Sequence, residues 1–234
     1  MKNTIKKGIY LNDKKIGIIT HREGDRGSSK IIQVVQKNYP FLRCFFGFEI
    51  APIKIHLLYS RDAINKVWGA KTPIWMCGFV KGRNKIYVLS PLICRKVSQH
   101  TENAIYKVVI HELVHLFIKK MNKSPLGWLN EGLSLFLAKQ IKDKSIKRAD
   151  WKFLMKCGFI TNPELKWTKI GNRSGYKASY LLVIFLMKQY GKNKLMKLLN
   201  INANKRNPAK KLEQVFKISL EELIKNFQKT LKFI

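Results

Sequence analysis

The sequence predicts an α+β fold, on three observations. Short runs that alternate apolar and polar residues fall before Pro91. A long helical pattern, Glu102 to about Lys119, carries the five residues His111-Glu112-Leu113-Val114-His115. From there to the C-terminus, apolar residues recur mostly at helical spacing. A small mixed sheet packed on the motif helix, with a mostly helical C-terminal half, accounts for all three.

The chain has 234 residues, 46% of them hydrophobic, enough for one sizeable core or for a small domain beside a larger one. The division expected is residues 1–50 as an N-terminal strand and helix module, separate or part of the same domain, and 51–234 as the main domain. Met1 to Lys7 is basic, but no uninterrupted apolar stretch follows, so no signal peptide is expected. The longest apolar run, Tyr180 to Met187, is far short of the roughly 20 residues that span a bilayer. A cytoplasmic protein is expected, with signal-independent export left open. Cys44, Cys77, Cys94 and Cys157 are scattered, form no CxxC pair and suggest no second metal site. Reduced thiols are expected.

The formal charge is +32, and lysine supplies most of it along the whole chain. There is no arginine-rich arm and no single basic helix. A solvated lysine surface is the simpler reading, with non-specific polyanion binding as its consequence and a dedicated nucleic-acid site as the rival.

In chain order, Gly8 to Thr20 reads as a hairpin turning at Asn12-Asp13, and His21 to Ser29 as a polar loop. Ser28 or Ser29 can cap a helix running through Lys37, which Pro40 is expected to stop. Phe41 to Phe48 is aromatic and is expected to pack against the next domain. Ile53 to Tyr59 alternates as a strand. Ser60 caps a short helix, Arg61 to Trp68, with Asp62 in its first turn. Trp75 to Val80 and Lys85 to Leu89 read as strands joined at Gly82-Arg83-Asn84. After the motif helix, Lys119 to Gly127 is a polar break, and a second helix begins at Trp128. Trp151 to Met155, Phe159 to Asn162 and Pro163 to Ile170 read as short helices and loops covering a cleft. A helix from Tyr176 is broken at Gly191, and the chain breaks again at Asn202 to Pro208.

The motif carries the chemistry. Residues four apart share a helix face, so His111 and His115 point at one place, while Glu112 lies about a third of a turn round and can reach a metal-bound water. A loop followed by a second helix lets Glu131 return to the metal. His111, His115 and Glu131 are then three zinc ligands, one ion per chain, with an open fourth position as in catalytic sites. His21, His56 and His100 have no ligand spacing and read as structural or surface residues. Trp128 and Asn130 shape the second helix.

HELVH followed by Trp128-Leu129-Asn130-Glu131-Gly132 resembles the gluzincin metallopeptidases, in particular their compact peptidase MA-like branch, which carries HExxH, a short linker and then W-x-x-E-G. The likeness extends through Tyr176-Lys177-Ala178-Ser179-Tyr180 and Gln189-Tyr190-Gly191 to Leu212–Leu231, and covers about Ile53 to Leu231. It implies a zincin-like fold, a peptidase domain over 51–234, and a peptide or protein substrate cleaved by a metal-activated water with Glu112 as general base. It implies a tyrosine as oxyanion donor, Tyr176 ahead of Tyr180. It also implies a sheet-edge strand that pairs with the bound peptide, here Met76, Cys77, Gly78, Phe79 and Val80.

The sequence departs from the related aminopeptidases, whose G-x-M-E-N segment it lacks, so endopeptidase activity is expected. It also lacks the third histidine, shortly after the motif, of Spartan-like proteases. Two rivals stand beside the peptidase reading: a basic nucleic-acid-associated protein, and a catalytically silent zinc-binding interaction domain.

Overall fold

The computed structural model describes residues 5–11, 14–20, 26–50, 52–142, 145–147, 149–150, 173–201 and 208–231. The chain forms two compact units, Met1–Phe117 and Ile118–Ile234. The expected cleft-covering segments within 151–172 lie outside the described residues.

The first unit is built on a five-stranded mixed sheet: β1 (Ile5–Leu11), β2 (Lys14–Thr20), β3 (Ile53–Leu58), β4 (Gly78–Lys81) and β5 (Lys85–Leu89), in the order β1-β2-β3-β5-β4. The β1–β2 hairpin is antiparallel. β2 runs parallel to β3 and β3 to β5, and β4 closes the sheet antiparallel to β5. Among the described residues β4 therefore has one hydrogen-bonded neighbour and one open edge.

The period-two pattern assigns the faces. Ile53, Ile55, Leu57, Ile86 and Val88 are buried on one side. On the other, Lys54 stands directly opposite Lys85, and Lys85 opposite Lys81, three exposed lysines abreast across three strands. Beside that row His56, Tyr87 and Phe79 stack ring on ring, at 4.6 and 5.4 Å between centroids, and Trp68 meets Phe79 edge-on at 5.0 Å. Lys81 turns its ammonium away from the row, donating to the Val67 carbonyl at 2.6 Å.

Helix α1 spans Arg26–Phe46 and differs from the expectation at both ends. Ser28 lies inside it and is buried, so it is no cap, and Pro40 does not stop it. A mid-helix proline costs about 3 kcal/mol. The C-terminal half of α1 offsets that by burying Tyr39, Leu42, Phe45 and Phe46. Phe46 stacks on Phe117 at 4.9 Å and 11°, and Tyr39 and Phe48 flank the same ring at 5.7 and 5.8 Å. The aromatic stretch thus packs on the motif helix of its own unit. Helix α2 (Arg61–Trp68) forms as its caps dictate: Ser60 Oγ accepts from the Ala63 amide at 3.0 Å, and the helix closes at Gly69. A short α3 (Cys94–Val97) precedes the motif helix α4 (Glu102–Met121).

The second unit is helical: α5 (Gly127–Leu137), α6 (Arg173–Leu199), α7 (Pro208–Phe216) and α8 (Leu220–Leu231). Non-helical backbone at Gly191 (φ 76°, ψ 171°) divides α6 where the sequence indicates a break. Asn122 ties the end of α6 down, donating to the carbonyls of Leu199 (2.9 Å) and Ile201 (2.8 Å). Phe185 meets Phe227 edge-on at 4.9 Å, holding α8 against α6. Lys177 pairs with Asp150 at 2.9 Å.

Candidate active site

Helix α4 is apolar nearly all round, and Ile105, Val109, Leu113, Val114 and Phe117 are all fully buried. Into this dry setting the sequence puts His111 (8% exposed) and Glu112 (6%), with His115 half-buried one turn on. The two imidazoles stand 4.5 Å apart between centroids, at 84°. One ligand-type atom from each of His111, Glu112 and His115 lies within 4.8 Å of the others. Helical spacing alone produces that cluster. Two imidazole nitrogens one helical turn apart are donors that a divalent ion such as zinc takes, and the Glu112 carboxylate stands beside them, so the residues present fit the metal the motif implies.

β4 lies directly on this part of the helix. A Cβ built on Gly78 would stand 2.8 Å from Val108 Cγ1, 3.3 Å from the Tyr87 carbonyl oxygen and 3.4 Å from Glu112 Cγ. A side chain there would collide with Val108, so the glycine lets the strand lie this close to the helix, within ordinary contact of Glu112. The open edge of β4 therefore begins beside the one carboxylate of the motif.

The strand is shorter than the expected Trp75 to Val80. It starts at Gly78, although the Cys77 carbonyl still accepts from the Leu89 amide at 2.8 Å. Met76 precedes it, its carbonyl taken by Arg61 at 2.7 Å. The Phe79 side chain is turned to the outer face, against Tyr87 and Trp68. Burial is the main cause pushing the Cys77 and Cys94 thiols up, so neither is a ready nucleophile.

The other site residues read from the sequence belong to the second unit. Glu131 is half-buried on α5. Trp128 (3% exposed), three residues before it, and Gly132, the next residue, are buried. Tyr176 is half-buried near the start of α6. Tyr180 is buried, its hydroxyl 3.5 Å from the Ile141 carbonyl, which accepts from it.

Residues 86–233 match the description of the Peptidase MA superfamily. The chain belongs to that superfamily. As a peptidase MA protein it has a zincin-like α+β fold, and His111-Glu112-x-x-His115 fits the gluzincin motif. Membership implies peptidase activity, and the His/Glu/His group suggests a metal. The matched region of this peptidase MA chain starts within β5, so β1 to β4, α1 and α2 lie ahead of it. No curated protein matches the sequence. Among the described residues no helix is long and apolar enough to cross a membrane.

Two residues near the site escape sequence reasoning. Arg61 reads there only as part of α2, and His100 as a structural or surface histidine. Arg61 bonds to residues as far as 36 positions away, and His100 lies 2.8 Å from the Trp75 carbonyl oxygen. No local pattern announces contacts of that separation.

Proposed function

We propose that the protein is a zinc-dependent endopeptidase. The cluster of buried His111 and Glu112 with half-buried His115, inside a region of peptidase MA sequence, carries this reading. His111 and His115 hold one zinc ion per chain. Glu131 is the third ligand, on the strength of its place in the W-x-x-E-G segment after the motif. When bound, zinc supplies Lewis acidity to the attacked carbonyl and to a water molecule. Glu112 takes the proton from that water and passes it to the departing amine. Tyr176 donates a hydrogen bond to the developing oxyanion, with Tyr180 as the alternative donor. An extended peptide adds to the open edge of β4, which brings its backbone beside Glu112. The missing G-x-M-E-N segment favours internal bonds over a free amino terminus. Adventitious binding of polyanions accompanies the excess lysine.

The test is the zinc content of the metal-replete protein, with peptide-library cleavage alongside. About one ion per chain and cleavage within peptides are expected, since a catalytic zinc site of this type holds a single ion on three protein ligands. Even a residue that only braces a ligand is worth about 10–100-fold in metal affinity. Glu131→Ala is therefore expected to lower zinc affinity by more than that. An unchanged affinity removes Glu131 from the site, and a metal-free parent removes the whole reading.

A further inference from the structure

Surface loops ordinarily turn polar side chains outward and leave their carbonyls to water. The segment Thr72–Met76, just ahead of β4, does the reverse. The Arg61 guanidinium reaches under it. Nη1 donates to the carbonyls of Met76 (2.7 Å) and Pro73 (3.3 Å) and to Thr72 Oγ1 (3.2 Å). Nη2 donates to the carbonyls of Ile74 (2.9 Å) and Val97 (2.6 Å), and Nε to Val97 again at 3.1 Å. His100 Nε2 lies 2.8 Å from the Trp75 carbonyl oxygen. The carbonyls of 73, 74, 75 and 76 are thus all drawn inward. Asn65 Oδ1 fixes the near end, accepting from both the amide and the hydroxyl of Thr72, at 2.8 and 2.7 Å.

With its backbone held from within, the loop presents apolar side chains to solvent. Ile74 is 55% exposed and Trp75 43%. Both keep much of the side chain in solvent and are held on a braced backbone. A rigid, exposed tryptophan is the kind of group on which binding energy concentrates, because little ordering entropy remains to be lost. The partner is indicated by what lies next along the chain. Three residues after Trp75 the open edge of β4 begins at Gly78, against Glu112. An open edge takes an extended polypeptide.

We infer that the Arg61-braced loop Thr72–Met76 recognises apolar side chains of an extended polypeptide paired with β4. That the polypeptide is also a substrate rests on the peptidase reading above. Antiparallel addition is the commoner pairing. A partner running opposite to β4 meets the loop with residues on the C-terminal side of the one facing Gly78. The apolar residue therefore lies on the leaving-amine side of the cleaved bond, about three places along at one residue per strand step. Ile74 and Trp75 make the contact, and Arg61 is a positioning residue that acts through their backbone.

The experiment uses the full chain and two fluorescent peptide sets that differ only on that side, one carrying Leu, Phe or Trp, the other Ser or Asp. Cleavage is measured with the parent and with Trp75→Ala. Equilibrium binding is measured by anisotropy with Glu112→Gln and with Glu112→Gln/Trp75→Ala. The apolar set is expected to bind tighter. Trp75→Ala is expected to weaken that set about tenfold, in KM far more than in kcat, with the melting temperature held. Arg61→Lys, which keeps the charge but loses the fork, should erode the same preference. Equal affinity for both sets, or a preference that survives Trp75→Ala, overturns the inference even where cleavage occurs. A Trp75-dependent preference in binding, with no cleavage by the parent, sustains the loop and removes the peptidase reading. Absence of both binding and cleavage removes the two together.

Discussion

Glu112→Gln is expected to leave zinc in place and to reduce peptide turnover by about three orders of magnitude, within the range that a positioned proton-transfer group supplies. The substitution is nearly isosteric, which matters here. The side chain is 6% exposed and packs beneath the β4 backbone at Gly78, so a smaller residue would open space in the site and confuse two effects. Glutamine fills the same volume and cannot accept the proton. His111 and His115 remain, so metal content measured by elemental analysis should match the parent. The loss should appear in kcat with KM little changed, because the missing step belongs to the transition state and not to binding. Cleavage by the variant at the parent's rate would end the assignment of Glu112 as base.

The largest effect on stability is expected at Gly132. A Cβ there would stand 2.3 Å from the Ser179 carbonyl oxygen, 2.6 Å from its carbon and 2.8 Å from Val183 Cγ2. The first two are backbone atoms of α6 and cannot rotate away, so Gly132→Ala must push α5 and α6 apart. Overpacking of this kind costs about 1–3 kcal/mol where side chains yield, and more where backbone must move. Alanine gains about 1 kcal/mol of helix propensity over glycine, which does not offset it. At about 2–4 °C per kcal/mol for a chain of this size, a fall of roughly 10 °C in melting temperature is expected. A melting temperature equal to the parent's would show that the two helices tolerate separation. The glycine after Glu131 thus has a packing reason of its own. Gly132 is where α5 comes closest to the α6 backbone, at Ser179.

The motif was legible because its geometry is local. Four residues of helix suffice to bring His111 and His115 together, whatever the rest of the chain does. The same holds for the Ser60 cap and for the hairpin that became β1 and β2. The failures have the opposite cause. Pro40 reads as a stop, and only the burial of Tyr39, Leu42, Phe45 and Phe46 carries α1 past it. The strand order places β5 between β3 and β4, which no run of residues announces. β4 begins late because Arg61 draws in the carbonyls ahead of it. Phe41 to Phe48 was legible as a packing surface, but its partner, Phe117, was not.

The three lysines abreast on the outer face of the sheet bear on how this protein should be handled. Like charges directly opposite one another across strands are destabilising. Among the described residues no ion pair relieves Lys54 or Lys85, and Lys81 relieves the row only by bending toward Val67. The strands are about 4.8 Å apart, inside the screening length of about 10 Å at 0.1 M salt and beyond the 3 Å reached at 1 M. Ionic strength therefore acts on this sheet as a stabiliser, and dilute buffer as a mild denaturant. The melting temperature should climb with added sodium chloride, and desalting is the step at which the first unit is least secure.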